Sequence, residues 1–592
     1  MNRQRQFSLI AVSILLISVC SSFAAAGRPN VLIILTDDQG WGDLSLHGNG
    51  NLETPNIDQL ARDGTRLDRF FVCPVCAPTR AEFLTGRYFP RGGVRGVSTG
   101  AERLDPDEQT IGDVFKEAGY RTGAFGKWHN GTQHPYHPNA RGFDEYYGFC
   151  SGHWGNYWDP ILDHNGEIVQ GKGFIINDLT DHAIEFIKTA GDEPFFCYVP
   201  YNTPHSPMQV PDRWWDRHKS GDVSQRHRDP KKENLTHTRA ALAMCENIDW
   251  NVGRLLKTLK DQQIAENTIV VYFSDNGPNG FRWNAGMKGR KGTTDEGGVR
   301  SPFFIRWPGK IEAGRTVPQI AGAIDLLPTL TDLVGVQRSG SKTLDGRSLK
   351  PLLMHRNVDW PDRMIVTSWS RRGISVRSQR YRLDGQGQLF DMIEDPGQRT
   401  NIAANDPAAA RELQAKMKWY EETVLTEYQD EKRPFSVGHR SGRTTQLPIR
   451  DAVSTGEIRR SSRHPNSSYF RNWTSPEDAI TWQVDIHETG QYTAELLYAC
   501  DKENAGSLIR LESVTDSATT SVEIRAAAHE SDLVAVEQDR DVRSEGFEKD
   551  WGRLMMGTIE LTKGEAQLRL TAPEIQGDQA IEVRLLLLHR AD

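Results

Sequence analysis

The sequence predicts an α/β protein: a mostly parallel sheet covered by helices on both faces, followed by a smaller α+β subdomain and an appended β-sandwich. Three observations carry this. Short apolar runs such as Val31-Leu32-Ile33-Ile34-Leu35, Phe195-Phe196-Cys197-Tyr198-Val199 and Ile269-Val270-Val271-Tyr272-Phe273 read as strands buried on both faces. Longer stretches with helical spacing alternate with them, the pattern of a parallel sheet. After Lys432 short strands separated by turns take over, which is the pattern of a sandwich. At 592 residues the chain is too long for a single core.

Residues 1–26 stand apart from this scheme. Arg3 and Arg5 precede an apolar run from Phe7 to Val19, and Ala24-Ala25-Ala26 supplies small residues for cleavage. This is the pattern of a secretory signal peptide, so the expected destination is the periplasm or the exterior. A lipoprotein anchor through Cys20 is the weaker reading, because Val19 stands where a small residue is needed. No later run is long enough to span a membrane. The formal charge is -8, and losing Arg3 and Arg5 makes it more acidic. That balance argues against nucleic acid or an anionic membrane as partner. The six cysteines after the leader show no framework spacing, so export does not imply a disulfide scaffold.

Residues 27–340 form the expected catalytic unit. The first strand ends at Asp37-Asp38-Gln39-Gly40. A helix start at Thr54-Pro55 follows, and then Cys76-Ala77-Pro78-Thr79-Arg80, with Pro78 at a helix opening. Arg121 to Phe125 is a strand running into Gly126-Lys127-Trp128-His129. An aromatic loop with His153, Trp154, Tyr157 and Trp158 comes next; such loops stack on sugars or simply pack at a rim. Leu179 to Lys188 and His237 to Leu259 have helical spacing. The strand at Phe195 ends near His205, and the one at Thr268 ends in Ser274-Asp275-Asn276-Gly277. A glycine- and cation-rich loop from Asn284 to Arg300 carries Lys291, and its spacing is not that of a P-loop. Residues 341–432 read as the α+β subdomain, 433–475 as a linker rich in Arg, Ser and Thr, and 476–592 as the β-sandwich, a module that binds glycans or caps the catalytic unit.

The polar residues that matter fall at strand ends, and in a parallel sheet the carboxyl ends of strands share one edge. Asp37, Asp38, Asp275 and Asn276 are all oxygen donors, a set that suits Ca²⁺ or Mg²⁺ rather than zinc. Ca²⁺ is preferred because it tolerates looser geometry. Arg80 is a permanently charged fork suited to a tetrahedral oxyanion. Each residue alone has a bland reading: a strand-end Asp caps a helix, a lysine is solvated, a histidine packs in a loop. Their joint occurrence in this order is what needs explaining.

Cys76-x-Pro78-x-Arg80 resembles the maturation signature of the type I sulfatases, formylglycine-dependent enzymes of the alkaline phosphatase superfamily. Asp37-Asp38, Gly126-Lys127-Trp128-His129, His205, Asp275-Asn276-Gly277, Lys291-Gly292 and Glu296-Gly297-Gly298-Val299-Arg300 stand in that family's order, as do Leu389-Phe390-Asp391 and Asp395-Pro396. The resemblance covers roughly Pro29 to Ala403. Thr79 departs from the commoner serine but keeps a hydroxyl. The resemblance implies an alkaline phosphatase-like sheet and a sulfuric ester hydrolase in which a maturation enzyme oxidises Cys76 to formylglycine. The hydrated aldehyde would both attack sulfur and bind the cation beside Asp37, Asp38, Asp275 and Asn276. Arg80 would favour the ionised nucleophile, Lys127 and Lys291 would neutralise sulfate oxygens, His205 would protonate the leaving oxygen and His129 would assist sulfate release. Trp154, Trp158 and Arg300 are candidates to meet the substrate, with a sulfated glycan the favoured class. Two other readings stand beside this one: a phosphodiester or phosphonate monoester hydrolase of the same superfamily, and a non-catalytic glycan-binding protein.

Overall fold

The computed structural model describes residues 27–369, 373–427 and 433–591. The leader read over 1–26 lies outside the described residues. Four parallel strands make the centre of a ten-stranded sheet: β1 (Asn30–Thr36), β2 (Arg121–Lys127), β3 (Phe195–Pro200) and β4 (Thr268–Ser274). Their spatial order is β4-β1-β3-β2. Phe303–Arg306 runs antiparallel beside β4, so the sheet is mixed, as an edge of a large α/β sheet often is.

Both faces of the sheet are covered, which is why the middles of β1, β3 and β4 are unbroken apolar runs. Val31, Ile33 and Leu35 point to one side, packing with the helices α2 (Cys76–Thr85) and α5 (Leu326–Val334). Leu32 and Ile34 point to the other, against α1 (Pro55–Arg62), α3 (Ile175–Thr189) and α4 (Leu235–Asp261). The period-2 alternation of side chains turns one unbroken hydrophobic run into two core-facing stripes.

A four-stranded antiparallel sheet follows, Ile365–Trp369 to Leu389–Asp391, packed against α6 (Pro407–Thr423). Two six-stranded sheets then close a third core around Trp473, Trp482 and Leu586. Here the structure corrects the linker reading of 433–475. Phe435–Val437 pairs with Ala479–Ile486, and Thr444–Pro448 pairs with Glu582–Arg590. The polar composition misled because the strands are short and the segments flanking them carry Arg433, Arg450 and Ser467, whose side chains contact Asp105, Glu102 and His153 of the catalytic unit. No helix among the described residues is long and apolar enough to cross a membrane.

Candidate active site

The site forms where the central strands end. Thr36 lies beside Ser274 in the β1–β4 register, so Asp37-Asp38 and Asp275-Asn276 leave the sheet side by side. Lys127 closes β2, His205 follows β3, and Cys76 is the first residue of α2. Close approach demands glycine before Lys127: Gly126 has φ +142, and a Cβ there would sit 2.0 Å from the Pro200 carbonyl oxygen. Asp38 (φ 68) and His129 (φ 66) occupy the left-handed region, sparsely populated by residues with a Cβ. Such strain is held only where the surroundings fix it, and functional sites are where it concentrates.

The contacts interlock. Asp37, Cys76 and Asp275 place their ligand atoms within 4.8 Å of one another, as do Asp37, Asp38 and His205. Arg80 donates Nε and Nη2 to Asp275 Oδ2 at 3.2 and 2.8 Å, and Nη1 to the Lys127 carbonyl. Lys127 Nζ lies 2.6 Å from Asp37, and Lys291 Nζ 2.7 Å from Asp38. Asn276 Nδ2 donates to Asp38 at 2.7 Å. Asp37, Asp38, Arg80, Lys127, Asp275 and Asn276 are fully buried.

Electrostatics divides the carboxylates. Burial is the largest single effect and would raise Asp37 and Asp38, but Lys127, His205 and Lys291 together outweigh it at the first, and Lys291 and His205 with hydrogen bonds from Lys291 and Asn276 outweigh it at the second, holding both below the ordinary carboxylate range. At Asp275 burial wins, reinforced by the Asp37 charge and only partly offset by Arg80, so its pKa is pushed well up. The protein's own cations therefore do not satisfy all three acids. Two further atoms agree: Asp37 Oδ1 and Asn276 Oδ1 are buried without a hydrogen-bond partner. Orphaned oxygens beside under-compensated carboxylates fit a hard divalent cation.

The histidines differ in their use of ring nitrogens. His129 donates Nε2–H to the Val97 carbonyl at 2.9 Å, which leaves Nδ1 as an unpartnered acceptor. Burial and then Lys127 push its pKa well below the usual imidazole range, so the ring is neutral. His205 Nδ1 meets the Ser206 carbonyl at 2.6 Å, and its Nε2 faces Asp38 at 3.7 Å. His153 stacks on His205 with ring centroids 5.7 Å apart.

Cys76, Arg80, Lys127, His129, His205 and Lys291 thus lie around the acids at one edge of the sheet. The candidate substrate residues lie elsewhere. Arg300 is committed to Asp68 (3.0 Å), approaches Glu296 (3.7 Å) and sits over Trp41. Trp154 stacks on Phe149 beneath Arg584, and both Trp154 and Trp158 line a cleft shared with residues 534–550. Cys73 and Cys76 are both unpaired. The Thr79 hydroxyl donates to the Asp275 carbonyl (2.6 Å) and accepts from the Cys73 amide (2.9 Å), so the departure from serine keeps a working contact.

Sequence reasoning missed two supports. Arg282 donates to the Asp38 carbonyl at 2.9 Å and pairs with buried Asp43 at 2.6 Å; neither belongs to a motif quoted above, and only a buried charge pair marks them. The second is the C-terminal sandwich, which reaches the pocket through loops with no motif at all.

Comparison with known proteins places this constellation. The sulfatase family model matches residues 29–336, more than half of the chain, and the model "N-sulphoglucosamine sulphohydrolase, C-terminal" matches 291–424. N-acetylgalactosamine-6-sulfatase of Canis lupus familiaris is 32% identical over 380 residues, spanning 58% of this chain and 69% of that protein. Arylsulfatase H of Homo sapiens is 29% identical over 56% of this chain and 73% of its own length. Among solved structures, the complex of Ps i-CgsB with k-i-k-neocarrahexaose has a TM-score of 0.61 at 29% identity, covering 68% of this chain and 94% of that one. The phosphonate monoester hydrolase of Agrobacterium radiobacter, at 21% identity and a TM-score of 0.52 over 68% of this chain and 96% of its own, shares the fold. The chain belongs to the type I sulfatase family of the alkaline phosphatase superfamily, and is a sulfuric ester hydrolase.

Proposed function

We propose that the protein removes sulfate from an exported carbohydrate, with residue 76 as nucleophile precursor and a divalent cation, Ca²⁺ in preference to Mg²⁺, held by Asp37, Asp38, Asp275 and Asn276. The observation that carries this reading is the placement of Cys76 Sγ at the start of α2, within 4.8 Å of carboxylate oxygens of Asp37 and Asp275. Conversion of the thiol side chain to an aldehyde is a two-electron oxidation. Sulfur leaves as sulfide, oxygen takes its place, and the electrons pass to an external oxidant such as dioxygen brought by a maturation enzyme.

When present, the hydrated aldehyde supplies a hydroxyl for attack on sulfur, and the cation lowers that hydroxyl's pKa and offsets charge on the sulfate. The chain's own residues do the rest. Arg80 fixes Asp275 through Nε and Nη2 and so orients one of the two acids beside Cys76. Lys127 and Lys291 present ammonium groups where sulfate charge shifts, in a buried setting where such contacts are strong. His205 Nε2 faces the pocket and is the atom to protonate the departing sugar oxygen. His129, neutral and with Nδ1 free, accepts a proton as sulfate is released. Glycan substrates are supported by the similar proteins, which include an N-acetylgalactosamine-6-sulfatase and a complex with k-i-k-neocarrahexaose.

Matched sulfate and phosphate esters of one alcohol test the reaction class. The expected result is a sulfate-ester kcat/KM exceeding the phosphodiester value by orders of magnitude; the reverse order overturns the proposal. A panel holding N-acetylgalactosamine 6-sulfate, glucosamine 6-sulfate and carrageenan oligosaccharides then identifies the sugar.

A further inference from the structure

Both sides of the catalytic pocket are gripped by the C-terminal β-sandwich, which lies beyond the residues either family model matches. One loop, 462–468, supports the His129 side. Asn466 donates to the Val97 carbonyl at 3.2 Å, the same oxygen that fixes His129. Ser467 donates to the His153 carbonyl at 3.0 Å. Behind them Arg450, almost fully buried, pairs with Glu102 at 3.1 Å.

A second loop, 535–548, supports the His205 side. Gln209 donates to the Ala535 carbonyl and the Asp539 carboxylate, both at 2.9 Å, and accepts from the Tyr157 amide at 2.8 Å. Tyr157 in turn donates its hydroxyl to the His205 carbonyl at 3.0 Å. Near the end of this loop Glu545 accepts a short hydrogen bond from the hydroxyl of Ser206, the residue after His205, and a 3.1 Å bond from the Ser544 amide. The Glu545 side chain is only half-buried. An ionised carboxylate offers about four acceptor positions, so two known donors leave room for more.

We propose that Glu545 is a specificity residue of this pocket: its carboxylate accepts hydroxyl hydrogens of the leaving sugar and repels a second sulfate on the same sugar. This rests on the carbohydrate sulfate-ester reading above. His205 sets which half of the ester Glu545 meets. If that ring serves the leaving oxygen, a group fixed beside it faces the sugar rather than the sulfate. Lys127 and Lys291, paired with Asp37 and Asp38, attract one anionic group, and Glu545 makes the rim unfavourable for another. Like charges juxtaposed in a partly desolvated site discriminate strongly, whereas a neutral hydroxyl both fits and donates.

A purely structural role for Glu545, as a clamp on Ser206, is the competing account. The test measures kcat and KM for wild type, Glu545→Gln and Ser206→Ala on N-acetylgalactosamine 6-sulfate and its 4,6-disulfate. Glutamine keeps the size and the acceptor for Ser206 but removes the charge. The expected result for Glu545→Gln is a rise of roughly tenfold or more in the disulfate-to-monosulfate ratio of kcat/KM, carried by KM. Ser206→Ala is expected to lower both substrates together and leave the ratio unchanged. A Glu545→Gln ratio equal to wild type overturns the inference while leaving sulfate-ester hydrolysis intact. Wild type that hydrolyses no sulfated sugar overturns the underlying reading and this inference with it.

Discussion

Arg80 shows how one residue serves both stability and chemistry. Its guanidinium is fully buried and shared between the Asp275 carboxylate and the Lys127 carbonyl. Removing one partner of such a pair strands the other charge. Arg80→Ala should therefore cost about 3–5 kcal/mol in denaturant unfolding, in addition to turnover. An unfolding midpoint equal to wild type would show that the pair does not hold the site together. Lys127 is expected to act mainly on catalysis. Lys127→Ala should lower kcat by roughly 10²–10³-fold, the size of losing one preorganised stabiliser of transition-state charge. Because Lys127 lies 2.6 Å from Asp37, the same variant should also shift the calcium dependence of activity. A change confined to KM would contradict its assigned role. Asp37, Lys127 and Asp275 were legible in the sequence because each sits at a strand end, and Arg80 because it follows Cys76 and Pro78 in one short motif on α2. Arg282 and Asp43 were not, since a buried pair leaves no trace in spacing.

The helix α2 carries more than the candidate nucleophile. Glu82, nearly two turns beyond Cys76, is buried, and its carboxyl is pushed up to about 8 by burial, with Asp345 and Asp325 adding to the effect against bonds from Cys73 and Phe89. The folded state thus keeps a proton that the unfolded chain releases near the ordinary glutamate value of about 4.5. Stability from this group is fully present below about pH 4.5 and is lost as pH rises toward 8. Glu82→Gln removes that slope. Its thermal midpoint relative to wild type should climb between pH 5 and pH 8, and a difference independent of pH would contradict the buried, protonated carboxyl. The helices themselves were readable to within a few residues: Leu179 to Lys188 lies within α3, and His237 to Leu259 within α4. The missed turns lie at the ends, where capping and packing rather than periodicity decide the boundary.

Across the whole molecule, the sheet and its active edge follow from apolar runs that end in polar residues, which is why four strands separated by more than two hundred residues could be placed together from sequence. The sandwich was legible as an architecture but its relation to the pocket was not. Residues 433–475 carry the interface in short strands and loops, and their polar side chains look like a linker until Arg450, Asn466 and Ser467 are seen meeting Glu102, Val97 and His153. Removal of divalent cations belongs to this scale as well. Chelation should abolish activity and lower the thermal midpoint together, since Asp275 and the orphaned oxygens of Asp37 and Asn276 are then left uncompensated; added Ca²⁺ should restore both. Full activity after exhaustive chelation would exclude the cation from the site. Residue 76 decides between a thiol and an oxidised nucleophile, and mass spectrometry of the peptide that carries it, from active enzyme made in a host with the maturation machinery, distinguishes the two. The prediction is an aldehyde in place of the thiol, in a proportion that tracks specific activity across preparations. An unmodified Cys76 in fully active protein would contradict it.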